Sequence, residues 1–270
     1  MTNFICRTCG IQYAATDTPP ETCKICSDER QYVGHDGQMW VTLPELQQDH
    51  HNRIEDLDED LTGIGTQPGF AIGQHTLLVR TPDGNVLWDC ISLLDDETVK
   101  AVRACGGLRA IAVSHPHLAG SVVEWSRAFG NVPIYWHALD REWVMRPDPA
   151  FVFWEGDTQP LGKGLTLVRC GGHFPGSSVL HWAGGASGRG ALLAGDTIQV
   201  VQDRRYVSFM YSYPNLIPLS AAAVEGIVRA VEPYPFDRIY GGWWDSFVAS
   251  GAKEAVKRSA ERYLKAINPG

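Results

Sequence analysis

From residue 63 onward, short apolar runs alternate with turn residues, and this spacing predicts strands. The predicted strands are 70–80, 86–90, 109–113, 133–136, 161–168, 178–182 and 238–240. Apolar positions at helical spacing predict helices over 95–105, 120–129, 221–231 and 252–266. Alternating strands and helices are typical of a layered α/β domain. We therefore predict one α/β domain over residues 63–270.

The first 62 residues lack this pattern and divide into two parts. Residues 1–36 are short and polar, with turn residues such as Gly10, and such a segment needs a metal to hold its fold. Residues 37–62 are rich in acidic and amide side chains and predict a solvated connector. The pair His50 and His51 in this connector is assigned no metal role.

Composition and charge narrow the class of protein. The 270 residues are 44% hydrophobic and 20% charged, as in an ordinary globular protein. A formal net charge of -8 argues against nucleic acid and anionic membranes as partners, because both bind concentrated positive charge. No leader segment and no run long enough to span a bilayer is recognised. We expect a cytoplasmic protein with a small-molecule substrate and with neither a nucleic-acid nor a membrane partner.

Four of the seven cysteines form two Cys-x-x-Cys pairs with thirteen residues between them: Cys6, Cys9, Cys23 and Cys26. Two such turns can direct four sulfurs at one tetrahedral ion, which predicts a structural zinc knuckle of the zinc-ribbon kind over residues 1–36. Iron in a rubredoxin-like site would use the same ligands and is the alternative. Paired metal-type cysteines favour a reducing compartment. The knuckle is also a possible docking point for a protein partner.

The three remaining cysteines lie apart from one another within apolar stretches. Small thiols in such stretches are commonly buried and unreactive. Buried thiols are therefore predicted at Cys90, Cys105 and Cys170.

Metal-binding residue types recur at three places in the main domain. His115 and His117 follow the predicted strand 109–113, His173 lies in Gly-Gly-His-Phe-Pro-Gly-Ser at 171–177, and Asp196 lies in Leu-Ala-Gly-Asp-Thr at 193–197. In order and spacing, these segments resemble the metallo-β-lactamase superfamily, with its His-x-His-x-Asp-His, Gly-His-x-Pro-Gly and Gly-Asp-Thr motifs. The resemblance covers residues 63–270. It implies an αββα sandwich, to which the four-cysteine zinc knuckle is added.

The resemblance also implies the roles of these residues. His115, His117 and His173 would be the three imidazole ligands of the first metal site, and Asp196 would be the bridging carboxylate.

The sequence departs from the family at the second metal site. Ala119 and Gly120 stand where the family has aspartate and histidine, and Trp243 stands where it has the last histidine. None of these side chains can ligate a metal. A single ion, zinc or iron, is therefore predicted at the histidine site.

One metal held by three imidazoles is compatible with hydrolysis. Such a zinc ion retains an open position at which water can be acidified, with Asp196 as a further ligand or as the base. The expected function is a mononuclear metal-dependent hydrolase of a small ester, thioester, lactone or amide. Because the base usual in the family would fall at Ala119, His181 and Asp245 are also candidate helpers.

Two other functions stay open from the sequence. The first is a non-catalytic binding protein or pseudoenzyme, in which the metal stabilises the fold and the knuckle docks a partner. The second is redox or isomerase chemistry at a bound iron.

Overall fold

The computed structural model describes residues 1–268, which divide into two compact units. The first unit comprises residues 1–136 and 141–153, and the second comprises residues 137–140 and, among the described residues, 154–268. Within the described part of the chain, none of the helices combines the length and the hydropathy needed to cross a bilayer.

The first unit is built around a mixed sheet. Its elements in chain order are β1 (Phe4–Cys6), β2 (Trp40–Thr42), α1 (Leu43–Asp49), β3 (His51–Asp58), β4 (Leu61–Gln67), β5 (His75–Val79), β6 (Val86–Trp88), α2 (Asp96–Ala104), β7 (Ala110–Ala112), α3 (Val122–Ala128), β8 (Ile134–His137) and β9 (Phe151–Trp154). Strands β3 to β9 form one sheet in chain order, and β1 pairs with β2. Because β6, β7 and β8 are parallel, their C-terminal ends meet at one edge of the sheet.

Local sequence sets the limits of helix α2. The Asp95 carboxylate accepts a hydrogen bond of 2.7 Å from the amide of Thr98 and so caps the first turn. The helix ends before Gly106 and Gly107, whose φ values of +101° and +74° are costly for other residues. The predicted helix over 95–105 is thus confirmed. Cys105 closes this helix and is exposed, which corrects its prediction as a buried thiol, while Cys90 is buried and Cys170 is half-buried.

The segment 37–62 carries more structure than a solvated connector. It contains β2, α1 and β3, and β3 pairs antiparallel with β4 as the edge strand of the seven-stranded sheet. All eight side chains of β3 are exposed or half-buried, because an edge strand has few neighbours, and polar residues are therefore tolerated there. The prediction of a solvated connector is therefore corrected for these residues. The limits at residues 36 and 62 stay predictions.

The N-terminal cysteines lie inside the core of the first unit. All four are buried in one hydrophobic cluster that also contains Ile11, Ile25, Ile64 and Leu87. Residues from the predicted knuckle and from the predicted α/β domain therefore share one core.

The second unit is built around a six-stranded sheet. Its elements in chain order are β10 (Thr158–Pro160), β11 (Leu165–Arg169), β12 (Ser178–Trp182), α4 (Gly185–Gly188), β13 (Ala191–Leu193), β14 (Gln199–Val200), β15 (Val207–Ser208), β16 (Met210–Ser212), β17 (Ile217–Pro218), α5 (Ala221–Val231), β18 (Arg238–Tyr240), β19 (Phe247–Val248) and α6 (Ala252–Ile267). The sheet order is β10-β11-β12-β13-β18-β19.

Helices α5 and α6 supply much of the core of the second unit. Ile227 of α5 and Val256 of α6 are buried in one cluster with Leu192 of β13 and Ile239 of β18. Strands β13 and β18 are parallel, and the Leu-Ala-Gly-Asp-Thr segment continues from the C-terminal end of β13. The sheet edge thus positions the predicted carboxylate ligand.

Candidate metal centres

The four cysteines form a closed, buried cluster. One sulfur from each lies within 4.8 Å of the other three. The Sγ atoms of Cys6 and Cys26 are 3.6 Å apart, as are those of Cys9 and Cys23. These separations are far too long for a disulfide bond, and they match the edge of about 3.8 Å that a tetrahedron with Zn–S bonds of about 2.3 Å requires. The cluster therefore fits one tetrahedral metal ion.

Polar groups around the cluster orient its sulfurs. The Tyr13 hydroxyl donates to Cys23 Sγ at 3.3 Å, and the Gln38 side-chain amide donates to Cys6 Sγ at 3.3 Å. Hydrogen bonds from neighbouring thiols, chiefly Cys23, lower the pKa of Cys6, whereas burial raises the pKa of Cys9. A cation among the sulfurs would stabilise the thiolate forms together. Tyr13 and Gln38 were not foreseen, because no sequence spacing marks them.

The second group contains the predicted histidines and aspartate. His115 and His117 flank Pro116 at a 3₁₀ turn, Pro116–Leu118, that follows β7. His173 lies in the loop between β11 and β12, and Asp196 lies in the turn after β13. The structure brings the four together: one potential ligand atom from each lies within 4.8 Å of the others, and all four residues are buried.

A hydrogen bond at Nδ1 fixes the tautomer of His173, and His115 also has a hydrogen-bond partner at Nδ1. His173 Nδ1 is 2.8 Å from the carbonyl oxygen of Tyr211, which can only accept, so Nδ1 carries the proton and Nε2 carries the lone pair. His173 Nε2 is in turn 3.8 Å from Asp196 Oδ2. His115 Nδ1 is 2.8 Å from the hydroxyl of Ser114. A set of imidazoles plus one carboxylate suits a divalent ion such as zinc or ferrous iron.

The loop that carries His173 has little room to rearrange. Gly172 has a φ of +83°, and a Cβ there would lie 2.9 Å from Ile227 of α5. The amide of Phe174 donates to Ser177 Oγ at 2.8 Å, and the amide of Gly176 donates to Asp140 Oδ1 at 2.9 Å. The glycines therefore allow close packing, while the hydrogen bonds fix the loop.

Within the second unit, Tyr213 holds the turn that carries Asp196. Its hydroxyl donates to the backbone carbonyl of Asp196 at 2.8 Å. Burial, followed by the charge of Asp196, raises the pKa of Tyr213, so the hydroxyl keeps its proton and remains a donor.

Position 120, where the metallo-β-lactamase motif has a second-site histidine, is closed by backbone packing. Gly120 has a φ of +49°, and a Cβ at this position would lie 2.5 Å from both the carbonyl carbon and the oxygen of Ile91. Neighbouring Ala119 is 5% exposed and belongs to the hydrophobic core. A histidine at position 120 would therefore require the backbone to move. Ala119 beside it offers no ligand atom for a second metal ion.

A further buried carboxylate, Asp89, was missed from the sequence. It follows β6 and accepts a 2.7 Å hydrogen bond from the amide of Ser114, the residue before His115. Its φ of +59° is unusual for a residue other than glycine. Asp89 thus helps to fix the start of the histidine turn. Asp89 directly follows an apolar strand, and His115 likewise follows shortly after one. This position in the sequence could have marked Asp89 as a candidate.

The two other candidate helpers take different places. His181 is buried within β12, where its Nε2 lies 2.8 Å from the carbonyl oxygen of Pro235 and burial lowers its pKa. Asp245 is exposed in a turn with a φ of +60°. Neither belongs to the groups that could hold a metal among residues 1–268.

Comparisons with known proteins address the family and the fold. No protein-family model matches the chain. A protein of Bacillus subtilis (strain 168), described as "Uncharacterized protein YmaE", is 49% identical over 270 residues, which is 99% of this chain and 98% of that protein.

Among solved structures, DIM-1 metallo-β-lactamase matches with a TM-score of 0.58 and 14% identity over 81% of this chain and 99% of its own. The metallo-β-lactamase SMB-1, solved with mercaptoacetic acid, matches with a TM-score of 0.55 and 16% identity over 80% of this chain and 97% of its own. A B3 metallo-β-lactamase described as having an active-site glutamic acid matches with a TM-score of 0.54 and 16% identity, over 79% of this chain and 89% of its own.

At these identities the solved structures establish the fold. The predicted fold class, a metallo-β-lactamase α/β fold with a four-cysteine cluster near the N-terminus, is confirmed. This chain, with the metallo-β-lactamase fold, belongs to the same family as YmaE of Bacillus subtilis.

Proposed function

We propose that the protein is a mononuclear metal-dependent hydrolase of a small ester, thioester, lactone or amide. The observation that carries this proposal is the convergence of His115, His117, His173 and Asp196 within 4.8 Å in a buried group. Three imidazoles and one carboxylate form a ligand set that suits hydrolytic zinc, and ferrous iron is compatible with the same set.

The residues of this group would have different roles in hydrolysis. His115, His117 and His173 would hold the ion, with the Tyr211 carbonyl fixing the tautomer of His173. When bound, a divalent ion supplies Lewis acidity, which makes water more acidic and polarises a carbonyl group. Asp196 would accept the proton or complete the ligand set, and the Tyr213 hydroxyl would hold the backbone of its turn.

Two observations support a single ion. Ala119 and Gly120 offer no ligand atoms, and Gly120 lies against the backbone of Ile91.

The similar solved structures that are named as metallo-β-lactamases support hydrolysis as the reaction class. β-Lactams are not proposed as substrates of this chain, because Ala119, Gly120 and Trp243 replace the second-site ligands of the metallo-β-lactamase motif.

The cysteine cluster supports a separate structural role. Four buried sulfurs at tetrahedral separations suit a zinc ion with a closed shell, which takes part in no reaction. Thiols that must stay reduced for this purpose support a reducing compartment such as the cytoplasm as the site of action.

Metal content measured by mass spectrometry tests the proposal. We expect two metal equivalents in the wild type, with one lost in His115→Ala and the other lost in Cys23→Ser. His51→Ala, which removes an exposed histidine outside both groups, is the matched control and should retain both equivalents. Wild type and His115→Ala are then compared on a panel of esters, thioesters, lactones and amides, before and after metal removal.

Turnover that requires the histidine-bound equivalent would support the hydrolase. A single equivalent that His115→Ala leaves unchanged, together with no turnover on the panel, would overturn it. The non-catalytic binding protein would then be the better description.

A further inference from the structure

A short segment of the cysteine knuckle packs against the histidine turn within the first unit. The amide of Gln12 donates to the carbonyl of Gly120 at 3.1 Å. Two residues earlier, the carbonyl of Gly10 accepts a 2.6 Å hydrogen bond from Ser92 Oγ. The carbonyl of Ser92 in turn accepts a 2.8 Å bond from Ser121 Oγ. These bonds join segment 10–12 to residues 120 and 121.

The cysteine turn sets the shape of this segment. The amide of Gly10 donates to the carbonyl of Cys6 at 2.8 Å, and the amide of Cys6 donates to the carbonyl of Ile11 at 3.0 Å. Gly10 has a φ of +80°, and a Cβ there would lie 2.5 Å from Ser92 Oγ. The segment therefore follows directly from the turn that carries Cys6 and Cys9, and it approaches Ser92 as closely as a glycine allows.

Gly120 lies just beyond the turn that carries two predicted ligands. The amide of Leu118 donates to the carbonyl of His115 at 3.2 Å, and the carbonyl of Leu118 accepts from the amide of Cys90 at 2.8 Å. The turn is thus held by Cys90 on one side, while its continuation at Gly120 is held by Gln12. The knuckle segment contacts the position at which the family's second-site histidine would stand.

We propose that the four-cysteine knuckle positions the His115–His117 turn, so that metal bound at the cysteines raises the metal affinity of the histidine group. Gln12, Gly10 and Ser92 are the positioning residues. Without an ion among the four sulfurs, the turns that carry the cysteines lose the constraint that metal ligation supplies. Gly120 and Ser92 then lose ordered partners, and the turn spends less time in the geometry that binds metal.

The two centres are linked reciprocally in this scheme. If the cysteine-bound ion strengthens metal binding at the histidines, the histidine-bound ion strengthens metal retention at the cysteines by the same factor. The inference rests on the proposed function in one respect, namely that the histidine group binds a metal ion.

Ser92→Ala tests the link with little change in volume. Its matched control is Ser126→Ala, because Ser126 is also buried in the first unit and donates to the carbonyl of Val132 at 2.7 Å, away from the knuckle segment. Protein with zinc in the cysteine cluster is titrated with Co²⁺, and binding at the histidines is followed by visible d–d absorption in competition with a chelator. We expect Co²⁺ to bind about tenfold more weakly to Ser92→Ala than to Ser126→Ala.

A second variant tests the metal at the cluster itself. Cys9→Ser should weaken Co²⁺ binding at the histidines by at least as much as Ser92→Ala does, and circular dichroism establishes whether the variant is folded. If Cys9→Ser does not fold, the serine pair decides the question alone.

The outcomes separate this inference from the proposed function. Equal Co²⁺ affinities in Ser92→Ala, Ser126→Ala and the wild type would overturn the positioning role while leaving the hydrolase proposal in place. If the wild type gives no Co²⁺ absorption that His115→Ala removes, both the positioning role and the hydrolase proposal are overturned.

Discussion

Gly120→Ala tests whether the surrounding backbone excludes a side chain at position 120, where the metallo-β-lactamase motif has a histidine. The substitution places a Cβ 2.5 Å from the carbonyl carbon and oxygen of Ile91 and 2.9 Å from the carbonyl oxygen of Cys90. All three are backbone atoms, so no side chain can rotate to relieve the overlap. The φ of +49° adds a cost of about 1–2 kcal/mol for a residue with a Cβ. Overpacking adds about 1–3 kcal/mol, giving a total of about 2–5 kcal/mol.

Gly107→Ala separates these two contributions. Gly107 also has a positive φ, +74°, but a Cβ there would meet nothing within 4 Å. Its substitution should cost only the conformational part, about 1–2 kcal/mol. Urea unfolding of both variants measures the difference in their free energies of unfolding, provided that their m-values are equal. If Gly120→Ala costs no more than Gly107→Ala, the backbone of Ile91 does not close this position, and our explanation for the missing ligand fails.

Removing a buried ionisable side chain should change stability in a way that depends on its surroundings. Cys9→Ser should lose one metal equivalent and about 3 kcal/mol or more of stability, whereas exposed Cys105→Ser should stay within about 0.5 kcal/mol of the wild type, as metal analysis and urea unfolding would measure. Burial lowers the pKa of His181, so as pH falls below about 6.5 the unfolded chain binds a proton before the folded chain does, and stability that is present above this pH is lost. In the wild type, uptake of one proton can lower the unfolding free energy by at most about 1.4 kcal/mol per pH unit between pH 7 and 5. His181→Gln should make this decrease smaller. An unchanged dependence of the unfolding free energy on pH would show that His181 does not cause it.

The elements with strong local signals could be predicted from the sequence. Helix α5 and strands β12 and β18 have the predicted limits, since buried apolar runs mark the strands and Ser220 caps the helix by accepting from the amide of Ala223. Strand β3 was missed because it is an edge strand whose exposed acidic side chains are also typical of a loop. Its pairing with β4 is visible only in the folded chain.

The candidate site shows the same division between local and distant information. Its four converging residues were expected because short motifs mark them. The groups that orient them carry no such motif: the Tyr211 carbonyl reaches His173 from thirty-eight positions away, and Asp89 reaches Ser114 from twenty-five positions away. Contacts of this kind depend on how strands and loops assemble. Sequence spacing could therefore supply the candidate ligands and could not supply their supports.

The role of Asp196 can be tested by substitution, because its carboxylate lies close to His173. Its Oδ2 is 3.8 Å from His173 Nε2, whereas two ligands of one tetrahedral zinc ion with bonds of about 2.0–2.1 Å would lie about 3.3–3.4 Å apart. Asp196 is therefore proposed either as a further ligand or as the proton acceptor, and a substitution at this position distinguishes the two roles. Since Ala119 supplies no carboxylate, Asp196 is the acidic residue within the converging group.

Asp196→Asn keeps the shape and an oxygen donor but removes the proton acceptor. On any substrate that the panel identifies, kcat should fall by about 10²–10⁴-fold while the histidine-bound metal equivalent is retained. The acidic limb of the pH–rate profile, which reports the base, should disappear with it. A variant that loses the metal and the activity together would show instead that Asp196 is a tight ligand, and four protein ligands would then close the tetrahedron against water.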